Sequence, residues 1–147
     1  MALFRIARRT HLTPAEAWRR LTDWERHGDS VPLTRIIVKT PPPTGVGTVF
    51  VARTGLGPVG FDDPMEITRW QPPTEDAPGV CHLQKRGRAI TGWAEIEVGA
   101  AGTGSYVVWR EDLHVRGLPR ALDGVTESAG RVVFGRAVKT LLQDRTC

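Results

Sequence analysis

The chain of 147 residues is long enough for one domain with its own core, and no metal or disulfide is needed to hold such a core together. Hydrophobic residues make up 40% and charged residues 24%, which argues against wholesale disorder and against membrane integration. No apolar run approaches the roughly 20 residues of a membrane helix. The formal charge is +4, but the 20 basic residues include only three lysines (Lys39, Lys85, Lys139), and the arginines are spread among acids. That pattern is a solvated basic surface rather than a polyanion site, so no nucleic-acid partner is expected. Cys81 and Cys147 are the two cysteines, too few for a disulfide framework, and there is no asparagine to accept a glycan. Arg5, Arg8 and Arg9 interrupt the apolar residues where a secretory signal needs an unbroken stretch, and a cytoplasmic location is expected.

The first ten residues alternate as a strand, with Phe4 and Ile6 on one face. A helix follows: Thr13 suits the N-cap, Pro14 the first turn, and Glu16 completes a capping-box spacing ahead of Ala17, Trp18 and Leu21. A second short helix is expected over Asp23 to His27, broken by Gly28 and finished before Pro32. From there the period changes to two. Strands are expected near Arg35–Thr40, Gly47–Thr54, Phe61–Trp70, Val80–Arg86, Arg88–Val98 and Ser105–Leu113, joined by glycine- and proline-rich turns short enough for hairpins. The sheet is therefore an antiparallel meander. Leu118 to Gln143 carries one broad apolar stripe and reads as a long amphipathic helix. Gly124, Gly130 and Gly135 cost that helix about 1 kcal/mol each relative to Ala, which points to relief of crowding against the sheet.

Several motifs fall away on context. Gly55-Leu56-Gly57-Pro58-Val59-Gly60 has the spelling of a dinucleotide-binding turn, but that turn opens a helix whose amides hold a pyrophosphate, and here Pro58 and a strand follow. A flexible hairpin is expected, and no nucleotide cofactor. His11, His27, His82 and His114 lack the close spacings of a metal site. Ser30, Ser105 and Ser128 lack a nucleophile elbow.

The carboxylates are more informative. Val107, Trp109, Glu111 and Leu113 share the more apolar face of their strand, so Glu111 faces inward, where a charge needs a cation or a donor to offset its desolvation. Lys85 is a natural partner if Cys81, Leu83 and Lys85 form the inner face; the opposite choice, with Val80, His82 and Gln84 inside, is nearly as good by composition. Asp62 and Asp63 point to opposite faces, and Asp63 lies with Phe61, Met65 and Ile67 on the apolar one.

Strand, two short helices, six-strand meander and long helix is the element order of the helix-grip fold. Leu12-Thr13-Pro14-Ala15-Glu16-Ala17-Trp18, continuing to Leu21-Thr22-Asp23-Trp24-Glu25, resembles the opening of the SRPBCC (START or Bet v 1-like) superfamily. Gly45-Val46-Gly47, Asp63-Pro64-Met65, Gly87-Arg88 with Gly92, and Trp109-Arg110-Glu111 resemble its bacterial polyketide cyclase and dehydratase-like members. The resemblance implies one α+β domain over residues 1–147, with a seven-stranded antiparallel sheet wrapped around the C-terminal helix and a hydrophobic cavity between them. Alternation then places Phe50, Phe61, Met65, Ile67, Leu83, Ile96, Trp109, Val133 and Ala137 on the cavity wall, with Asp63, Lys85 and Glu111 as its polar groups.

The expected function is binding of a small hydrophobic molecule (a lipid, polyketide or aromatic metabolite) by a monomer or homodimer without metal or cofactor. One alternative is a cyclase, dehydratase or aromatase using Glu111 as acid or base, with Lys85 or Tyr106 assisting. Another is a protein-interaction or polyanion-binding module using the arginine-rich surface.

Overall fold

A period-two pattern buries one face of a strand, and six such segments in succession need little more than tight turns to become a meander. The computed structural model describes residues 2–31, 33–56, 58–117 and 123–143. In it β1 (Ala2–Thr10) is followed by α1 (Pro14–Leu21) and α2 (Trp24–Ser30), then β2 (Thr34–Val38), β3 (Val49–Leu56), β4 (Val59–Gln71), β5 (Gly79–Lys85), β6 (Ile90–Ala101), β7 (Gly104–Val115) and finally α3 (Asp123–Leu142). The strands form one seven-stranded antiparallel sheet in the order β1-β7-β6-β5-β4-β3-β2. Only β1 joins out of sequence, pairing Phe4 with Glu111 and Ile6 with Trp109.

The inner sheet face meets the three helices in one core. Phe4, Ile6, Leu83, Ile96, Val98 and Val107 come from strands, Ala17, Trp18 and Leu21 from α1, and Val138, Leu141 and Leu142 from α3. On the outer face, His82 stacks on Trp93 and reaches Glu95, and Tyr106 donates to Glu97 at 2.9 Å. This settles the inner face of β5 in favour of Cys81, Leu83 and Lys85, all buried.

Local details depart from the expectations for identifiable reasons. Thr13 caps α1 by accepting from the Glu16 amide at 3.2 Å, but the Glu16 carboxylate turns to Arg19 and Arg20 instead of closing the capping box. The second helix does not stop before Gly28; it runs to Ser30. Glycine serves close packing there, because a Cβ on Gly28 would lie 3.1 Å from the Ile36 amide nitrogen of β2. β3 starts at Val49 and not Gly47, whose φ of 92° cannot continue a strand. β2 ends at Val38, and Thr40 beyond it accepts the Val49 amide through its hydroxyl. β6 begins at Ile90 and continues to Ala101. Residues 118–122 of the expected last helix lie outside the described ones. Of its three glycines only Gly130 relieves crowding: a Cβ there would meet the Phe4 ring at 2.6 Å, whereas Gly124 faces open space and Gly135 has ordinary contact with Arg8.

Candidate functional site

Register places three charged side chains on the inner face. Met65 pairs with Lys85, Leu83 pairs with Ala94, and Ala94 pairs with Glu111. Because Ala94 is only a methyl group, Lys85 of β5 and Glu111 of β7 meet across the strand between them. The Lys85 Nζ lies 3.0 Å from Glu111 Oε1 and donates to Asp63 Oδ2 at 2.6 Å, with Met65 Sδ at 3.8 Å. The Trp109 indole donates to the second Glu111 oxygen at 3.3 Å. Side-chain exposure is 2% for Lys85, 3% for Glu111 and 10% for Asp63, so this is an interior cluster.

One cation between two carboxylates leaves an excess of negative charge. Burial pushes the Asp63 carboxyl above the ordinary aspartate range; Lys85 opposes that shift and Glu111 adds to it. Burial pulls the Lys85 ammonium down, but Glu111 and Asp63 together outweigh it and hold its pKa above the usual lysine value. Asp63 Oδ1 is buried and has no hydrogen-bond partner among the described residues. His27 of α2 is fully enclosed, which depresses its pKa and keeps the ring neutral, and its Nε2 donates to the Leu21 carbonyl at 2.6 Å. Its Nδ1 is therefore an acceptor.

These residues line a partly enclosed, largely apolar cavity of about 190 Å³ between the sheet, α2 and α3. Phe134, Trp109, His27 and Phe50 line one side of it within a longer arc of rings: Phe4 stacks on Phe134, Phe134 on Trp109, Trp109 meets His27, His27 meets Trp24, and Trp24 stacks on Phe50, with centroids 4.7–5.5 Å apart. Of the residues singled out in the sequence, Phe50, Phe61, Asp63, Met65, Leu83, Lys85, Trp109 and Glu111 border the cavity. Ile67, Ile96 and Ala137 do not; they are buried in the main core. Val133 is half-buried on α3 away from the cavity, and Phe134 takes the place assigned to it.

Sequence reasoning missed His27, Ile36, Ile90 and Phe134 among the lining residues. Phe134 carried a usable signal, since it stands three residues before Ala137, four before Val138 and seven before Leu141, the inward stripe of α3. His27 carried none, because α2 was read as ending there.

Comparison with solved structures bears on the fold. Ara h 8.0201 aligns over 97% of this chain and 98% of its own at 15% identity, with a TM-score of 0.62. XoxI from Bacillus cereus aligns over 97% and 94% at 13% identity and 0.69. A norcoclaurine synthase point mutant from Thalictrum flavum, in complex with a transition-state analogue, aligns over 95% and 92% at 13% identity and 0.64. The chain has the Bet v 1-like helix-grip fold. No sequence-family model and no curated protein sequence matches it, so the likeness is one of fold.

Two other features of this helix grip bear on where a site lies. A larger groove of about 780 Å³ runs between α1, the start of α2 and the β2–β3 connection, past Trp18, Trp24 and Trp70. It is open to solvent, and its charged residues Arg19, Asp23 and Glu25 are not buried. The glycine-rich segment is the β3–β4 hairpin, with Gly55 opposite Gly60 and no helix after it, so the amide cradle of a dinucleotide site does not form. Gly57 itself lies outside the described residues. Among the described residues no three His, Cys, Asp or Glu side chains stand together to hold a metal ion, and no helix is long and apolar enough to cross a membrane.

Proposed function

We propose that the chain is a binding module for a small, largely apolar molecule held between the sheet and α3. The observation that carries this reading is the Asp63–Lys85–Glu111 cluster on the wall of this largely apolar cavity. Burying three charges in an apolar core is costly and seldom better for stability than apolar packing, whereas a few polar groups in a greasy pocket are what fixes a ligand's orientation. Size narrows the class. A cavity of about 150 Å³ accepts benzene, so 190 Å³ suits a single-ring compound or a short acyl chain rather than a long lipid.

Catalysis of the cyclase or dehydratase kind has less support. Both Glu111 oxygens are engaged, one by Lys85 and one by Trp109, so a proton acceptor for such chemistry falls to Asp63. The complex of the norcoclaurine synthase mutant with its analogue supports a ligand site in this fold and does not extend to its reaction.

Titration calorimetry with benzyl alcohol tests the reading. Saturable binding that disappears in Ala94→Leu, where the added methyl groups occupy the cavity, is expected. Binding unaffected by the substitution places the site elsewhere and overturns it.

A further inference from the structure

Aromatic side chains reach this cavity from five different elements. His27 comes from α2, Phe50 from β3, Phe61 from β4, Trp109 from β7 and Phe134 from α3. The whole chain holds only ten Phe, Trp and Tyr residues, yet three of its four phenylalanines are in this set. The fourth, Phe4, stacks on Phe134 with centroids 5.5 Å apart. Residues so far apart in sequence share no local pattern; what they share is the cavity. His27 belongs with the hydrocarbon rings, because burial pulls its pKa down and leaves a neutral imidazole. Met65 adds a polarizable thioether side chain to the same lining.

Contact of ring with ring contributes beyond the area removed from water, because the quadrupoles of both partners take part. A saturated ring has no such quadrupole and is thicker than a flat one. An open acyl chain must also give up its rotamers to fit a space of about 190 Å³. Resting on the proposed ligand site, we propose that the cavity selects a flat aromatic ring over a saturated ring or an acyl chain of the same carbon count. The ligand class is thereby narrowed from small apolar molecules in general to aromatic ones.

Three alcohols of equal carbon count separate the terms: benzyl alcohol, cyclohexylmethanol and 1-heptanol, titrated by protein-observed NMR to millimolar concentration. Burial alone ranks benzyl alcohol last, since the two saturated alcohols bring more C–H surface out of water. Aromatic selection reverses that order, and benzyl alcohol is expected to bind about fivefold more tightly than either. Phe134→Leu and Phe61→Leu each keep an apolar side chain and remove one ring. In each the advantage of benzyl alcohol over cyclohexylmethanol is expected to fall by about half or more. Phe61 is 46% exposed, so its variant keeps the comparison available should Phe134→Leu fail to fold. Cyclohexylmethanol or 1-heptanol binding the parent as tightly as benzyl alcohol overturns the aromatic selection but leaves the cavity a ligand site. An undiminished advantage in the folded variants does the same. Failure of all three alcohols to bind overturns the ligand site itself and the selection with it.

Discussion

Lys85 is held by Asp63 and Glu111 at once, so its removal strands two buried carboxylates rather than one. Lys85→Met, similar in length and uncharged, is expected to cost about 3–5 kcal/mol at neutral pH. The folded variant then favours protonated carboxyls, so its stability rises as pH falls toward 5. Urea denaturation across that range checks both the size and the direction. His27 has the opposite sign. Its folded pKa lies below 6.5, so below that pH the unfolded chain takes up a proton that the folded protein refuses, and stability falls by up to about 1.4 kcal/mol per pH unit. His27→Gln is expected to flatten the parent's slope between pH 6.5 and 5. The inward placement of Glu111 and Asp63 was legible because alternation is strict along a strand. The Lys85 to Glu111 contact was legible only as one of two alternatives, since it depends on Ala94 of an intervening strand and on a choice of face that composition left nearly even. The partnering of Trp109 with Glu111 is legible only in coordinates, although the two residues lie on one face two positions apart.

Helix α3 packs on α1 and α2 and most extensively on β1, where Gly130 lets it sit on the Phe4 ring. That ring is 1% exposed and stacked on Phe134, so it has nowhere to go. Gly130→Ala is therefore expected to destabilise by about 1–3 kcal/mol through overpacking, despite the gain of up to about 1 kcal/mol in helix propensity. Gly124→Ala, at an open position, keeps the propensity gain alone. Paired thermal melts of the two variants distinguish packing from propensity. Element types were readable throughout, because periods of two and 3.6 differ over any stretch of ten residues. Ends were not. Gly28 looks like a breaker in sequence and proves to be a point of contact between α2 and β2, information held in the partner strand.

For the molecule as a whole, helix-grip structures that align at 13–15% identity show how little of the fold depends on particular side chains. The order of elements, the hairpin turns and the apolar alternation suffice to build the sheet and seat the helices. The cavity's contents are a separate matter, and occupancy should be visible globally. At one hundred times its dissociation constant, a ligand such as benzyl alcohol stabilises the fold by about 2.7 kcal/mol, a rise in Tm of roughly 8 °C. Ala94→Leu is expected to show no rise. The three-way charge cluster also constrains how such a protein can change over generations. Replacing all three charged residues by apolar ones of similar volume is close to neutral, whereas loss of Lys85 alone leaves buried charge unmatched. A lineage carrying this cluster therefore faces a valley at the lysine: Asp63 can be surrendered first, Glu111 with more difficulty, and Lys85 only after a carboxylate has gone. The order of permitted substitutions is written in the geometry of one ammonium shared by two acids.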